Sequence, residues 1–163
     1  VTDVLEAKPI YAAEIAKNDH YLSGVSSDAQ AHQLSETDPV RIEFFVEPTQ
    51  QADTLPLLAW VNTITGDYFY APEGTPPPYA CYIPADGNAL GYVPSAGEGA
   101  FDVHLFMNAE GITQIMGVET ADQLGLSTAG YADIGVLFAS PVALDASVEL
   151  TGVSNNLIDG LSI

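Results

Sequence analysis

From Pro39 onward, apolar and polar residues alternate in short runs. Val40, Ile42, Phe44 and Val46 interleave with Arg41, Glu43, Phe45 and Glu47, which is the period of a half-buried strand. Phe101, Val103, Leu105 and Met107 repeat the pattern against Asp102, His104, Phe106 and Asn108. The cleanest alternation sets Val142, Leu144, Ala146, Val148 and Leu150 against Ala143, Asp145, Ser147 and Glu149. Residues 55–61 and 131–139 are apolar runs of strand length, residues 79–83 form a shorter one, and a last strand is expected near 157–163. Residues 62–67, Asn-Thr-Ile-Thr-Gly-Asp, carry turn chemistry and lead into Tyr68-Phe-Tyr-Ala71, so residues 55–71 predict a hairpin. Asp86-Gly-Asn88 is a further turn signal.

Helical signals are sparse. Residues 10–18, Ile-Tyr-Ala-Ala-Glu-Ile-Ala-Lys-Asn, are good helix formers behind Pro9, and they predict a short helix. Residues 119–126 predict another, punctuated by Gly125 and Gly130. Between them, residues 21–38 are rich in Ser, Gln, Asp and His and show no period, which reads as a loop or extended arm. The expected organisation is therefore an N-terminal arm over 1–38 with a short helix, followed by a β domain over 39–163. The expected fold is mainly β: a single-domain antiparallel β-sandwich or barrel with one or two short helices.

Charge narrows the choice of partners. Three basic residues stand against 22 acidic ones, a net charge of −19, and Lys8, Lys17 and Arg41 are all of the basic set. Beyond Arg41 nothing can neutralise a phosphate, which excludes nucleic acid as a partner. Anionic membrane surfaces are excluded on the same ground, and no apolar run approaches the roughly 18 residues of a membrane span. Charged residues are only 15% of the chain, so the imbalance reflects missing lysine more than added carboxylate. Such a chain repels itself until salt screens it, which points to a saline, marine or halophilic setting.

Few residues point to chemistry. Cys81 is the only cysteine, so no internal disulfide forms. It has no nearby cation or helix start to activate it, and it reads as a buried small hydrophobe beside Tyr79 and Tyr82. Pro76, Pro77 and Pro78 before it read as a stiff polyproline connector. His20, His32 and His104 lack metal-ligand spacing, although Asp102 and His104 share one strand face. No Gly-x-Ser-x-Gly elbow occurs, and Gly97-Glu-Gly99 lacks the strand–turn–helix context of a phosphate cradle. Asp86 and Asn88 offer oxygen ligands in a turn and are the calcium candidates, though the full calcium-loop pattern is missing. No catalytic or cofactor-binding residue is singled out. Trp60, Tyr68, Tyr70 and Tyr79 are the candidate anchors of an interface, because large aromatics dominate interface energetics. The same aromatics, if exposed, would suit a sugar ring.

Residues 57–70, Leu-Leu-Ala-Trp-Val-Asn-Thr-Ile-Thr-Gly-Asp-Tyr-Phe-Tyr, resemble a hairpin of tailed-virus fibre and head-decoration proteins. The resemblance implies a virion structural protein and carries no catalytic residues. It makes the expected role that of an accessory capsid subunit, a decoration or cement protein. Such a subunit would be trimeric and would pack against a major capsid protein. A tail-tube or fibre component is an alternative within that class. The rival class is a binding module of a secreted or cell-surface adhesin, holding a glycan or calcium.

Overall fold

In the computed structural model, residues 7–16, 19–32, 40–85 and 89–144 are described. They form ten strands and two short helices. The strands are β1 (Lys8–Ala16), β2 (Asp19–Ser23), β3 (Arg41–Val46), β4 (Thr54–Asn62), β5 (Tyr68–Pro72), β6 (Tyr82–Pro84), β7 (Gly91–Pro94), β8 (Phe101–Met107), β9 (Thr113–Met116) and β10 (Ala132–Ser140). The helices are α1 (Ser26–His32) and α2 (Val118–Leu124). All pairings are antiparallel, in three sheets ordered β2-β1-β3, β5-β4-β6 with β7 also on β4, and β10-β8-β9. The fold is mainly β and sandwich-like, with no closed barrel among the described residues.

The three sheets bury one core. Ile10, Ala12, Leu22, Phe44, Leu57, Phe69, Val103, Ile115 and Phe138 belong to a single apolar cluster. Phe44 meets Phe138 edge to face at 5.2 Å, joining the first sheet to β10. Each such side chain contributes about 1.5–3 kcal/mol by leaving water. A second cluster of Phe106, Met116, Ala121, Leu126 and Tyr131 lies where α2 covers the outer side of β8 and β9. Glu47 and Tyr92 exchange two backbone hydrogen bonds, which joins the end of β3 to β7. Gly91 is required at that junction, because a Cβ there would sit 2.3 Å from Val46 Cγ2.

Several expectations need correction. Residues 10–18, expected as a helix, contain most of β1. Ile10 and Ala12 point into the core, while Pro9 and Tyr11, which alternate with them, are only partly covered. Pairing with β3 on one side and β2 on the other outweighs the helix propensity of its alanines. Pro9 is tolerated because β2 reaches only as far as Tyr11. The first sheet thus draws β1 and β2 from before position 38 and β3 from after it. The stretch expected as irregular holds β2 and α1 instead, with Asp28 in the first turn of α1.

β3 is not half-buried, since Glu43, Phe44, Phe45, Val46 and Glu47 are all enclosed. Phe45 N–H donates to Ser140 Oγ, so the strand is closed in by β10 as well as by β7. The expected strand over 79–83 begins only at Tyr82. Cys81 adopts φ 80°, which breaks the extended run and leaves the thiol exposed, not buried. β10 ends at Ser140, and Val142 and Leu144 lie outside any strand. The remainder of that predicted strand, and the one near 157–163, lie outside the described residues. α2 falls where a helix was expected, closed by Gly125 in the left-handed conformation.

Candidate functional site

An open cleft of about 780 Å³ lies between β2 with α1 on one wall and β4, β5 and Ala89–Leu90 on the other. Its chemistry starts with strand alternation. Tyr68 and Tyr70 are two apart on β5, so both rings face the cleft while Phe69 turns to the opposite side and packs on Tyr82. The Tyr68 and Tyr70 rings are nearly parallel, 14° apart with centroids at 6.3 Å. Tyr21 of β2 meets Tyr68 edge-on at 5.2 Å, and His32 at the end of α1 stacks on Tyr21 at 3.8 Å.

Hydrogen bonds fix these rings. Tyr70 is buried at the cleft floor, where its hydroxyl accepts from Leu22 N–H at 2.9 Å. Tyr21 donates its hydroxyl to Asp28 Oδ2 at 2.8 Å. Hydrogen bonds from Ser23 and then Tyr21 hold the Asp28 carboxyl below its ordinary range, so it is ionised at neutral pH. Lys8 completes the rim beside Gly24, where a Cβ would stand 3.4 Å from Nζ. The cleft therefore combines an aromatic floor, one carboxylate, one imidazole and one ammonium.

The four aromatic anchors expected from sequence are divided. Tyr68 and Tyr70 line the cleft. Trp60 is half-buried against the main core, opposite Phe69. Tyr79 is exposed but anchored, since its hydroxyl donates to Gly111 O at 2.5 Å. Asp86 and Asn88, the calcium candidates, lie outside the described residues. Sequence reasoning missed Tyr21, Asp28 and His32. A Ser-Ser-Asp start to α1 was the signal that could have placed Asp28 and His32 one turn apart.

A second cleft of about 520 Å³ runs between β8 and α2, lined in part by Asp102, His104, Val118 and Glu119. His104 Nδ1 lies 3.0 Å from Asp133 Oδ2 across β8 and β10. Asp102 is engaged locally, accepting from Gly97 N–H at 2.7 Å. No group of three His, Cys, Asp or Glu side chains is placed to hold a metal ion among the described residues.

Two buried polar knots tie the sheets together. Asp67, from the Thr-Gly-Asp turn, accepts from Thr113 N–H at 2.9 Å, Thr113 Oγ1 at 2.8 Å and the Tyr82 hydroxyl at 2.5 Å. Burial, then the bond to Asp67, pushes the Tyr82 pKa up, so the phenol stays protonated as the donor. The other knot is His20, Glu43 and Arg41. Ile115 N–H donates to His20 Nε2, which places the ring proton on Nδ1, 3.4 Å from Glu43 Oε2. Arg41 grips both oxygens of the same carboxylate, at 2.8 and 3.2 Å. Burial pushes the Glu43 pKa up, but the bond from His20 and the charge of Arg41 outweigh it and hold it low. Both knots back the aromatic cleft from inside the fold, since His20 meets Tyr70 edge-on at 6.2 Å and Thr113 Oγ1 donates to Tyr68 O at 3.0 Å.

The chain matches no family model, no curated protein and no solved structure.

Proposed function

We propose that this protein is a structural subunit of a virion, an accessory capsid protein that stabilises a particle by packing against neighbouring subunits in a saline medium. The observation that carries this reading is a set of exposed apolar side chains on β10 and at the start of α2. Ile134 and Val136 of β10 are 52% and 42% exposed, and Val118 at the start of α2 is 44% exposed. Val136 is paired with His104, which shares a cleft with Val118, so two of these side chains border one surface. Exposed apolar side chains grouped in this way mark interaction surfaces. The net charge of −19 sets the condition, because copies of this chain associate only when salt shortens their mutual repulsion. The hairpin of residues 57–70 adds the likeness to head-decoration and fibre proteins. Its Thr-Gly-Asp turn is built into the frame through Asp67.

Light scattering behind size exclusion, from about 0.1 to 3 M NaCl, tests the assembly. The expected result is a discrete oligomer that gains population with salt, and that Ile134→Asp with Val136→Asp returns to monomer. A wild-type monomer at every salt concentration sinks the reading. A second reading, a surface binding module, is favoured by the aromatic cleft and by nothing else in the fold.

A further inference from the structure

We propose that the cleft between β2 and the β4–β5 hairpin binds an acidic sugar, a hexuronate unit of a glycan. Three features lead there, and none depends on the assembly reading.

The first is shape and surface. A cleft of about 780 Å³ falls in the range of small-ligand sites. Its aromatic side presents Tyr68, half-buried, flanked by Tyr21 and Tyr70. Rings of this kind offer a flat apolar face to the C–H side of a pyranose. Tyr70 and Tyr21 are held by Leu22 N–H and Asp28, so the platform is set before a ligand arrives.

The second is the carboxylate. Asp28 stays ionised, and an ionised carboxylate only accepts hydrogen bonds. It lines the same cleft as the rings, where it meets the hydroxyl donors of a sugar.

The third is Lys8. The chain has three basic residues among 22 acidic ones. Arg41 is committed to Glu43 and Glu14. The Lys8 ammonium, on the cleft wall beside Gly24, makes no ion pair among the described residues. A lysine in a cleft that also holds aromatic rings, on a molecule so poor in cations, selects a ligand that brings its own anion. The uronate carboxylate fits that requirement, and a neutral sugar leaves Lys8 without a partner. The charge of the whole molecule opposes an anionic ligand at long range, but about 1 M salt contracts that field to roughly 3 Å. Contact with Lys8 then decides the outcome, so affinity should rise with salt instead of falling.

Calorimetric titration of the full chain with a galacturonate tetramer, against cellotetraose as the neutral control, tests this at 0.1 and 1 M NaCl. Saturable binding of the uronate, tighter at 1 M and clearly preferred over cellotetraose, is expected. Lys8→Gln should weaken uronate binding about tenfold, the loss of one hydrogen bond to a charged group, with an unchanged melting temperature. Tyr68→Ala should remove binding of either sugar. The proposal is overturned if the uronate shows no saturable binding at 1 M, if cellotetraose binds as well, or if Lys8→Gln changes nothing. A protein that binds uronate as a monomer at all salt concentrations defeats the assembly reading and leaves this one intact.

Discussion

At the scale of single residues, the most consequential side chain is Glu43. It is fully buried and carries a charge, a combination that survives only because His20 and Arg41 surround it. Its carboxyl is held below the ordinary value of 4.5, so the folded state binds fewer protons there than the unfolded chain. The stabilisation is complete above the unfolded pKa and is lost as pH falls through the lower, folded one. Denaturant melts of wild type between about pH 7 and 3 should therefore show stability falling on the acid side. Glu43→Gln should cost about 3–5 kcal/mol at neutral pH, because it removes the buried counter-charge of Arg41 and replaces one of the two acceptor oxygens with an NH2 donor. It should also flatten that acid limb. A variant as stable as wild type at pH 7 would show that the triad is neutral to the fold.

At the scale of elements, the β4–β5 hairpin is held twice. Asn62 Oδ1 accepts from Ile64 and Thr65 N–H, which closes the turn locally, and Gly66 supplies the positive φ of 79°. Asp67 then fastens the turn to β9 and to Tyr82. Asp67→Ala takes the acceptor from the buried Thr113 N–H and from the Tyr82 hydroxyl, while Thr113 Oγ1 keeps Tyr68 O at 3.0 Å. It should destabilise the chain by about 2–4 kcal/mol, summing two such losses. Thermal melts check the size, and hydrogen exchange checks the place, with early loss of protection expected in β9.

The turn chemistry of residues 62–67 made the hairpin legible in the sequence, and Gly125 did the same for α2. β1 was not legible, because its alanines and Glu14 favour a helix until β3 pairs with them. β9 was not legible for a different reason: Thr113, Gln114, Ile115 and Met116 are all buried, so they show no alternation. The cleft was half legible. Tyr68 and Tyr70 share a face by period two, but Tyr21, Asp28, His32 and Lys8 reach it only through the packing of the first sheet on the second. Neither Glu43 nor His20 signals burial in a sequence: Arg41 stands two residues from Glu43 on β3, but His20 comes from β2 and its own backbone donor, Ile115, from β9.

At the scale of the whole molecule, charge and fold pull against each other. A compact body of −19 repels itself, and Arg41, one of its few cations, is spent inside the first sheet. Screening should therefore stabilise the monomer as well as any assembly. Raising NaCl from about 0.1 to 2 M should raise the melting temperature, by roughly 2–4 °C for each kcal/mol of repulsion relieved. KCl should act equally. A melting temperature that is flat or falls with salt would show that surface repulsion is not what limits this fold.

The hydroxyl of Tyr70 has one more consequence. β2 and β9 end their sheets, and a terminal strand normally offers its outward N–H groups to any passing extended chain. Here Leu22 N–H is taken by Tyr70, and Ile115 N–H is taken by the His20 ring. Side chains from inside the protein thus occupy N–H groups on two terminal strands. Those two bonds withhold both N–H groups from pairing with another chain, an effect that a measurement of stability alone would not reveal.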